Sequence, residues 1–158
     1  MDVDGTLTDG KIYMGANGEL MKAFDIKDGC GIKDILPTLG IIPVIITARQ
    51  SQILENRCKE LDIKEVHQGV RNKLEMLDAI CKSYNASFRE VAYIGDDILD
   101  LQCMNPINSA GGVIGCPADA VQSVKDIAVC VTEKKGGNGA VREFIEYLLL
   151  NHTDNNDF

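Results

Sequence analysis

The sequence predicts one α/β domain: a doubly wound, Rossmann-like parallel sheet with helices on both faces. Three observations point there. Short apolar runs such as "IPVIIT" (42–47) and "EVAYIG" (90–95) have the length and β-branched or aromatic content of strands buried on both faces. Amphipathic stretches of helical period separate these runs. The 158 residues, 45% of them hydrophobic, provide for one core and hardly for two domains. The domain is expected over 1–150, with a polar, flexible tail over 151–158.

The elements follow in order. "KIYMGANGELMKAF" (11–24) alternates on either side of Asn17-Gly18, a turn-forming pair, and reads as a β-hairpin inserted after the first acids. "GIKDILPTLG" (31–40) reads as a short helix ending at Gly40, which Pro37 makes start late or bend. A strand over 42–47 precedes a helix over 50–61 that carries Ile53, Leu54, Cys58 and Leu61 on one face. "KEVHQG" (64–69) is a short strand, and a helix over 72–84 runs through Leu74, Leu77, Ile80, Cys81 and Tyr84. The strand over 90–95 follows. A short helix over 118–126 and a strand over 127–132 come next, and a helix over 139–150 with Val141, Phe144, Ile145, Leu148 and Leu149 closes the domain.

Bulk properties narrow the function. A net charge of −8 repels nucleic acid and anionic membranes, so neither is an expected partner. No apolar run is long enough to span a bilayer, and no signal-type segment precedes the first acids. The six cysteines are scattered without a C-x-x-C pair, and His67 and His152 stand apart. This pattern fits reduced thiols in a cytoplasmic protein better than a zinc site.

Polar groups gather just past the expected strands. Asp2 and Asp4 come first, then Thr47 and Arg49, then Lys73, then Asp96, Asp97 and Asp100. A doubly wound sheet binds its ligands at these carboxyl ends. Each residue alone has a plain structural reading, since strand-end Asp often caps a helix. Together they make an oxygen-rich, His- and Cys-free site suited to a hard cation, Mg²⁺ above all. Beside it, Lys73 and the Thr47 hydroxyl can hold phosphoryl oxygens, and an ionised Asp is available as a nucleophile.

In this order and spacing, D-x-D-G-T at 2–6, Thr47, Lys73 and G-D-D-x-x-D at 95–100 resemble the four motifs of the haloacid dehalogenase superfamily of phosphatases. The resemblance implies that Asp2 becomes an aspartyl-phosphate, and that Asp4 protonates the leaving alcohol and then activates water. It implies that Asp2, Asp96 and the backbone carbonyl of Asp4 hold Mg²⁺, with Asp97 supporting that shell and Asp100 positioning its neighbours. Thr47 and Lys73 would bind the phosphoryl oxygens. Receiver domains of two-component signalling fit less well, because the middle strands end in Thr47 and "HQG" rather than in a phospho-accepting Asp.

The insertion between Asp4 and Thr47 is too small for a lid domain. "DGTLTDGKIYM", "NGELMKAFDIKDGCGI", "ITARQS", "HQGVRNKL", "YIGDDILDL" and "KKGGNGAVREF" resemble the small capless branch that contains 3-deoxy-D-manno-octulosonate 8-phosphate phosphatases. That branch implies a homotetramer built on its hairpins, with sites completed at subunit interfaces. Arg49, Gly136, Gly137 and Arg142 would then face a phosphorylated sugar acid. A guanidinium beside the phosphate site can hold a carboxylate in bidentate fashion. Arg49, where nine-carbon enzymes of the branch tend to carry Glu, favours the eight-carbon acid and hence lipopolysaccharide precursor synthesis. The alternatives are a nine-carbon, sialic-type phosphatase and a non-catalytic oligomerisation domain of a cytidylyltransferase. Two features depart from the pattern: Ala48 stands where Gly is usual, and only Met1 precedes Asp2 where the family has an apolar strand. A sheet lacking its central strand exposes the ladder groups of its neighbours. Either residues upstream of Met1 complete it, or the start has been trimmed.

Overall fold

The computed structural model describes residues 1–153. Its first regular element is the expected hairpin, β1 (Tyr13–Gly15) and β2 (Gly18–Met21), with Gly15 paired to Gly18 across the turn. The next segment starts earlier than the sequence suggests. Asp25 caps α1 (Ile26–Cys30) by accepting from the Lys27 N–H. The coil then widens to a π turn over Gly31–Ile35 and tightens to a 3₁₀ turn over Leu36–Leu39. Pro37, which has no N–H to give, lies at the change of pitch, and Gly40 closes the segment at φ +67°.

Parallel strands follow as expected, alternating with helices: β3 (Val44–Ile46), α2 (Gln52–Glu60), β4 (Glu65–His67), α3 (Lys73–Ser83) and β5 (Ala92–Ile94). The sequence reading missed the next pair, α4 (Leu101–Ala110) and β6 (Val113–Cys116). Pro106 lies inside α4, and Gly111, Gly112 and Gly115 break up the apolar run, so neither period stands out. Then come α5 (Gln122–Lys125), β7 (Cys130–Val131) and α6 (Ala140–Thr153). The expected tail at 151–158 therefore begins inside α6, and residues 154–158 lie outside the described residues.

β3 pairs with β4, and β5 with β6 and β6 with β7, all parallel. Residues 1–2 join the two groups. The Met1 amino group donates to the Val44 carbonyl at 2.8 Å, Ile46 N–H to the Met1 carbonyl at 3.1 Å, and Asp2 N–H to the Ile94 carbonyl at 3.1 Å. The spatial order is thus β4, β3, residues 1–2, β5, β6, β7. Upstream of Met1 the space between β3 and β5 is a cavity of about 370 Å³, lined by Val44, Ala92, Leu77, Ile80, Phe144 and Leu148 among others.

Successive strand residues face opposite sides. Ile45 and Ile94 pack with Leu36, Leu54, Phe144 and Ile145 from the α1, α2 and α6 side. Ile46 and Tyr93 pack with Leu77, Ile80, Met104 and Ile107 from α3 and α4. Two buried layers therefore sandwich the sheet, and its carboxyl ends converge around Asp2. Among the described residues no helix is long and apolar enough to cross a membrane. The six cysteines are free thiols.

Candidate active site

The carboxyl ends of the strands bring Asp2 and Asp100 together on Lys73, with Asp96 beside them. Asn72 caps α3, its side chain accepting from the Glu75 N–H, and Lys73 opens the helix. That start sends the Lys73 side chain inward, where it is 2% exposed. Its Nζ donates to Asp2 Oδ1 at 2.7 Å and to Asp100 Oδ1 at 2.8 Å. Burial by itself pulls the Lys73 ammonium down, but the two carboxylates outweigh it and hold it above its usual range.

Asp100 organises the far side. Its Oδ1 also accepts from the Tyr93 hydroxyl at 2.8 Å, and its Oδ2 accepts from the backbone N–H groups of Asp96 and Asp97 at 3.0 and 3.1 Å. A carboxylate has about four acceptor positions, so this one is fully engaged. Its role is to aim Lys73 and to fold the 95–100 turn. Burial, then the neighbouring carboxylate, pushes the Tyr93 hydroxyl well above its ordinary value, so it remains a donor.

Asp96 enters from the opposite direction. Its Oδ1 accepts from the Thr6 hydroxyl at 2.8 Å. Its Oδ2 lies against the Cα of Gly5, where an added Cβ would stand 2.0 Å away. Gly5 also holds φ at +98°, a region that costs other residues strain. Burial above all, partly offset by Thr6 and reinforced by the other acids, raises Asp96 to about 7. Burial and repulsion from Asp100 raise Asp2 to about 6 against the pull of Lys73.

Carboxylate oxygens of Asp2, Asp96 and Asp100 all lie within 4.8 Å of one another. Asp2 and Asp100 share Lys73, Asp96 lies beside them, and the donors are all hard oxygens. With Asp100 already engaged, Asp2 and Asp96 fit a Mg²⁺-type cation, whose charge restores the ionised forms that burial disfavours. Asp97 lies outside the cluster: it is exposed, and its Oδ1 accepts from the Ile98 N–H at 2.7 Å. The carboxylate of Asp4 also points elsewhere.

Thr47 sits one residue beyond β3, buried, its N–H bonded to the His67 carbonyl and its carbonyl to the Val70 N–H, both at 3.0 Å. These two bonds fix the strand end. Across the site the hairpin folds back. Lys22 donates to Asp4 Oδ1 and lies 3.1 Å from Glu19 Oε1. Arg49 reaches Glu19 at 3.5 Å and Asp4 Oδ2 at 3.9 Å, and the Ser51 hydroxyl donates to Glu19. Arg49 therefore stands beside Asp4.

Gly136 and Gly137 pack beneath the acid loop of their own chain. A Cβ on Gly136 would stand 1.9 Å from the Gly5 carbonyl oxygen, and Gly137 N–H donates to the Thr6 carbonyl at 3.1 Å. The Arg142 guanidinium is turned along α6, with Nε 2.6 Å from Glu146 Oε1, and within this chain it is not brought to Asp2 or Asp4. Sequence reasoning did not single out Lys22, Glu19, Tyr93 or Asp28. Asp28 is buried and accepts from the Arg142 and Gly139 N–H groups, joining α1 to the start of α6. Only Lys22 and Glu19 carried a signal, as charges on an otherwise half-apolar hairpin.

No family model matches the chain. Over 150 residues it is 42% identical to 3-deoxy-D-manno-octulosonate 8-phosphate phosphatase KdsC of Escherichia coli K12, covering 95% of this chain and 77% of that protein. The crystal structure of the phosphatase of that name from Yersinia pestis matches with a TM-score of 0.89 at 40% identity, over 96% of this chain and 80% of the other. That from Moraxella catarrhalis, in complex with a magnesium ion, a phosphate ion and a KDO molecule, matches with a TM-score of 0.88 at 38% identity. The match covers 99% of this chain and 87% of the other.

Proposed function

The chain belongs to the 3-deoxy-D-manno-octulosonate 8-phosphate phosphatases of the haloacid dehalogenase superfamily, and on that premise we propose that it hydrolyses this ester to 3-deoxy-D-manno-octulosonate and phosphate. The reaction is Mg²⁺-dependent and passes through an aspartyl-phosphate. One observation carries the chemistry: Lys73, buried between Asp2 and Asp100, draws the nucleophile and the cation-binding oxygens into one cluster at the sheet's carboxyl end.

Asp2 attacks phosphorus. Its carboxylate oxygen forms a bond to phosphorus as the bond to the sugar oxygen breaks. Asp4 gives its proton to that oxygen, so a neutral alcohol leaves. The Asp4 carboxylate then takes a proton from water, the water oxygen bonds to phosphorus, and Asp2 is released as a carboxylate. Lys73 and the Thr47 hydroxyl hold the other phosphoryl oxygens through both steps. Lys73 already contacts Asp2 Oδ1 at 2.7 Å, within reach of a group carried there. Asp2 and Asp96, with the Asp4 carbonyl, would hold Mg²⁺, and Asp97 would support them from the loop. The ion, when bound, neutralises charge that the buried acids and the phosphoryl group share.

Arg49, beside Asp4, takes the sugar acid's carboxylate, and Gly136, Gly137 and Arg142 complete the sugar site in an assembled homotetramer. Support for the assembly comes from the hairpin, which leaves Ile12, Met14, Leu20 and Met21 47–68% exposed. The one domain over 1–150 acts in the cytoplasm, in lipopolysaccharide precursor synthesis, as its free thiols allow.

The test is phosphate release with Mg²⁺ from the octulosonate 8-phosphate, N-acetylneuraminate 9-phosphate and p-nitrophenyl phosphate, with Asp2→Asn as control. Preference for the octulosonate ester, abolished by chelation and by Asp2→Asn, is the expected result. Preference for the nine-carbon ester overturns the assignment of Arg49. Phosphate release that survives Asp2→Asn overturns the mechanism.

A further inference from the structure

We propose that Lys22 is a positioning residue for Asp4, fastening the hairpin to the site and holding the carboxylate that exchanges the proton with the leaving alcohol. The proposal rests on the phosphatase reading above. Lys22 directly follows β2, on a hairpin that leaves Ile12, Met14, Leu20 and Met21 exposed, yet its side chain is 4% exposed. Desolvating an ammonium to that degree is costly unless it is paired. Its partners are Asp4 Oδ1 and Glu19 Oε1.

The second partner keeps the first contact in register. Glu19 is itself held by the hydroxyl of Ser51, the residue that caps α2 just past Thr47, and by Arg49 at 3.5 Å. The hairpin is thus tied at one point to Asp4 and at another to the loop that follows the Thr47 strand end. Asp4 and Glu19 thus share the two cations Lys22 and Arg49. The two Asp4 oxygens are unequally held: Oδ1 touches Lys22, whereas Oδ2 stands 3.9 Å from Arg49 and stays available.

Proton transfer needs donor and acceptor within about 2.6–3.2 Å, and a displacement of about 1 Å can cost roughly 10²-fold. Asp4 lies on the acid loop, outside any helix or strand. Lys22 supplies the restraint that a regular element would otherwise give. The two lysines divide the acids between them: Lys22 pairs with Asp4 and Lys73 with Asp2.

The test compares Lys22→Met, which keeps length without charge, and Lys22→Arg, which keeps charge, against wild type, all with Mg²⁺. The octulosonate 8-phosphate releases an alcohol that must be protonated. p-Nitrophenyl phosphate releases a phenolate that leaves without a proton. In Lys22→Met we expect kcat on the sugar ester to fall at least about tenfold, part of the roughly 10²–10⁴-fold a positioned acid supplies, with KM within about threefold. The first-turnover burst of p-nitrophenolate persists, and Lys22→Arg recovers most of the loss. Equal losses on both esters in the first turnover, no loss, or a faster Lys22→Met overturn the proposal. Should Lys22→Met not fold, as judged by circular dichroism, Lys22→Gln makes the same comparison. A wild type inactive on both esters overturns the phosphatase reading, and this proposal with it. An active wild type with an unmoved ratio overturns this proposal alone.

Discussion

Asp96 reaches its place only because residue 5 has no side chain. The carboxylate fills the space a Cβ would take, and Gly5 holds a backbone angle of +98° that an alanine would adopt at a cost. Gly5→Ala must therefore displace Asp96 from Thr6 and from the carboxylate cluster. The expected outcome is a loss of Mg²⁺-dependent turnover of at least about 10²-fold, with the fold retained by circular dichroism. Unchanged turnover would mean that Asp96 has no part in the cation site. At this scale the sequence disclosed residues whose chemistry is read locally. Thr47 and Asp96 follow strands, Lys73 opens a helix, and Asp2 stands in D-x-D-G-T. Lys22 and Tyr93 act through partners 18 and 7 residues away along the chain. Nothing in their own surroundings says which way they point. Asp97, which the motif gives as support for the metal shell, accepts in the structure from the next residue's N–H.

Elements hold the site as much as residues do. Asp28, in α1, accepts from the N–H groups that open α6, and so seats the 133–139 loop against the acid loop. Burial, first of all, raises its carboxyl to about 6 from an ordinary value of 3.8. Between those values the folded protein holds a proton that the unfolded chain has lost. Asp28 therefore subtracts stability as pH rises from about 4 to about 6, and no more beyond that. Asp28→Asn keeps an acceptor for Arg142 and cannot ionise. Urea midpoints at pH 4.5 and 7 should show the variant losing less, or gaining more, over that span than wild type. A parallel pH response in both proteins would contradict this. Asp28→Ala, which removes the cap outright, should cost about 1–2 kcal/mol. Elements with a clean period, such as α2, α3 and α6, were legible in advance. α4 and β6 were not, because Pro106 and three glycines obscure a helix and a strand that tertiary burial makes good. The coil over 26–39 changes pitch twice, which no single period can report.

At the scale of the whole molecule, residues 1–2 bridge β3 and β5 at the centre of the parallel sheet. Asp2 N–H reaches the Ile94 carbonyl, so by alternation the Ala92 N–H and carbonyl face the cavity above Met1. Joining a four-residue apolar, β-branched stretch to Met1 lays a strand between β3 and β5. Two or three buried side chains at about 1.5–3 kcal/mol each should raise Tm by roughly 5–15 °C. A stretch of four aspartates should not. Equal effects of the two would show that the cavity does not take a strand.

The central claim is that Asp2 carries the phosphoryl group. The most direct measurement is to quench the enzyme during turnover of the octulosonate 8-phosphate with Mg²⁺, reduce with borohydride, and map the product by mass spectrometry. Conversion of residue 2 to homoserine, dependent on substrate and absent without Mg²⁺, is the predicted result. Phosphate release at full rate with residue 2 unmodified, or with the label on another side chain, would contradict it.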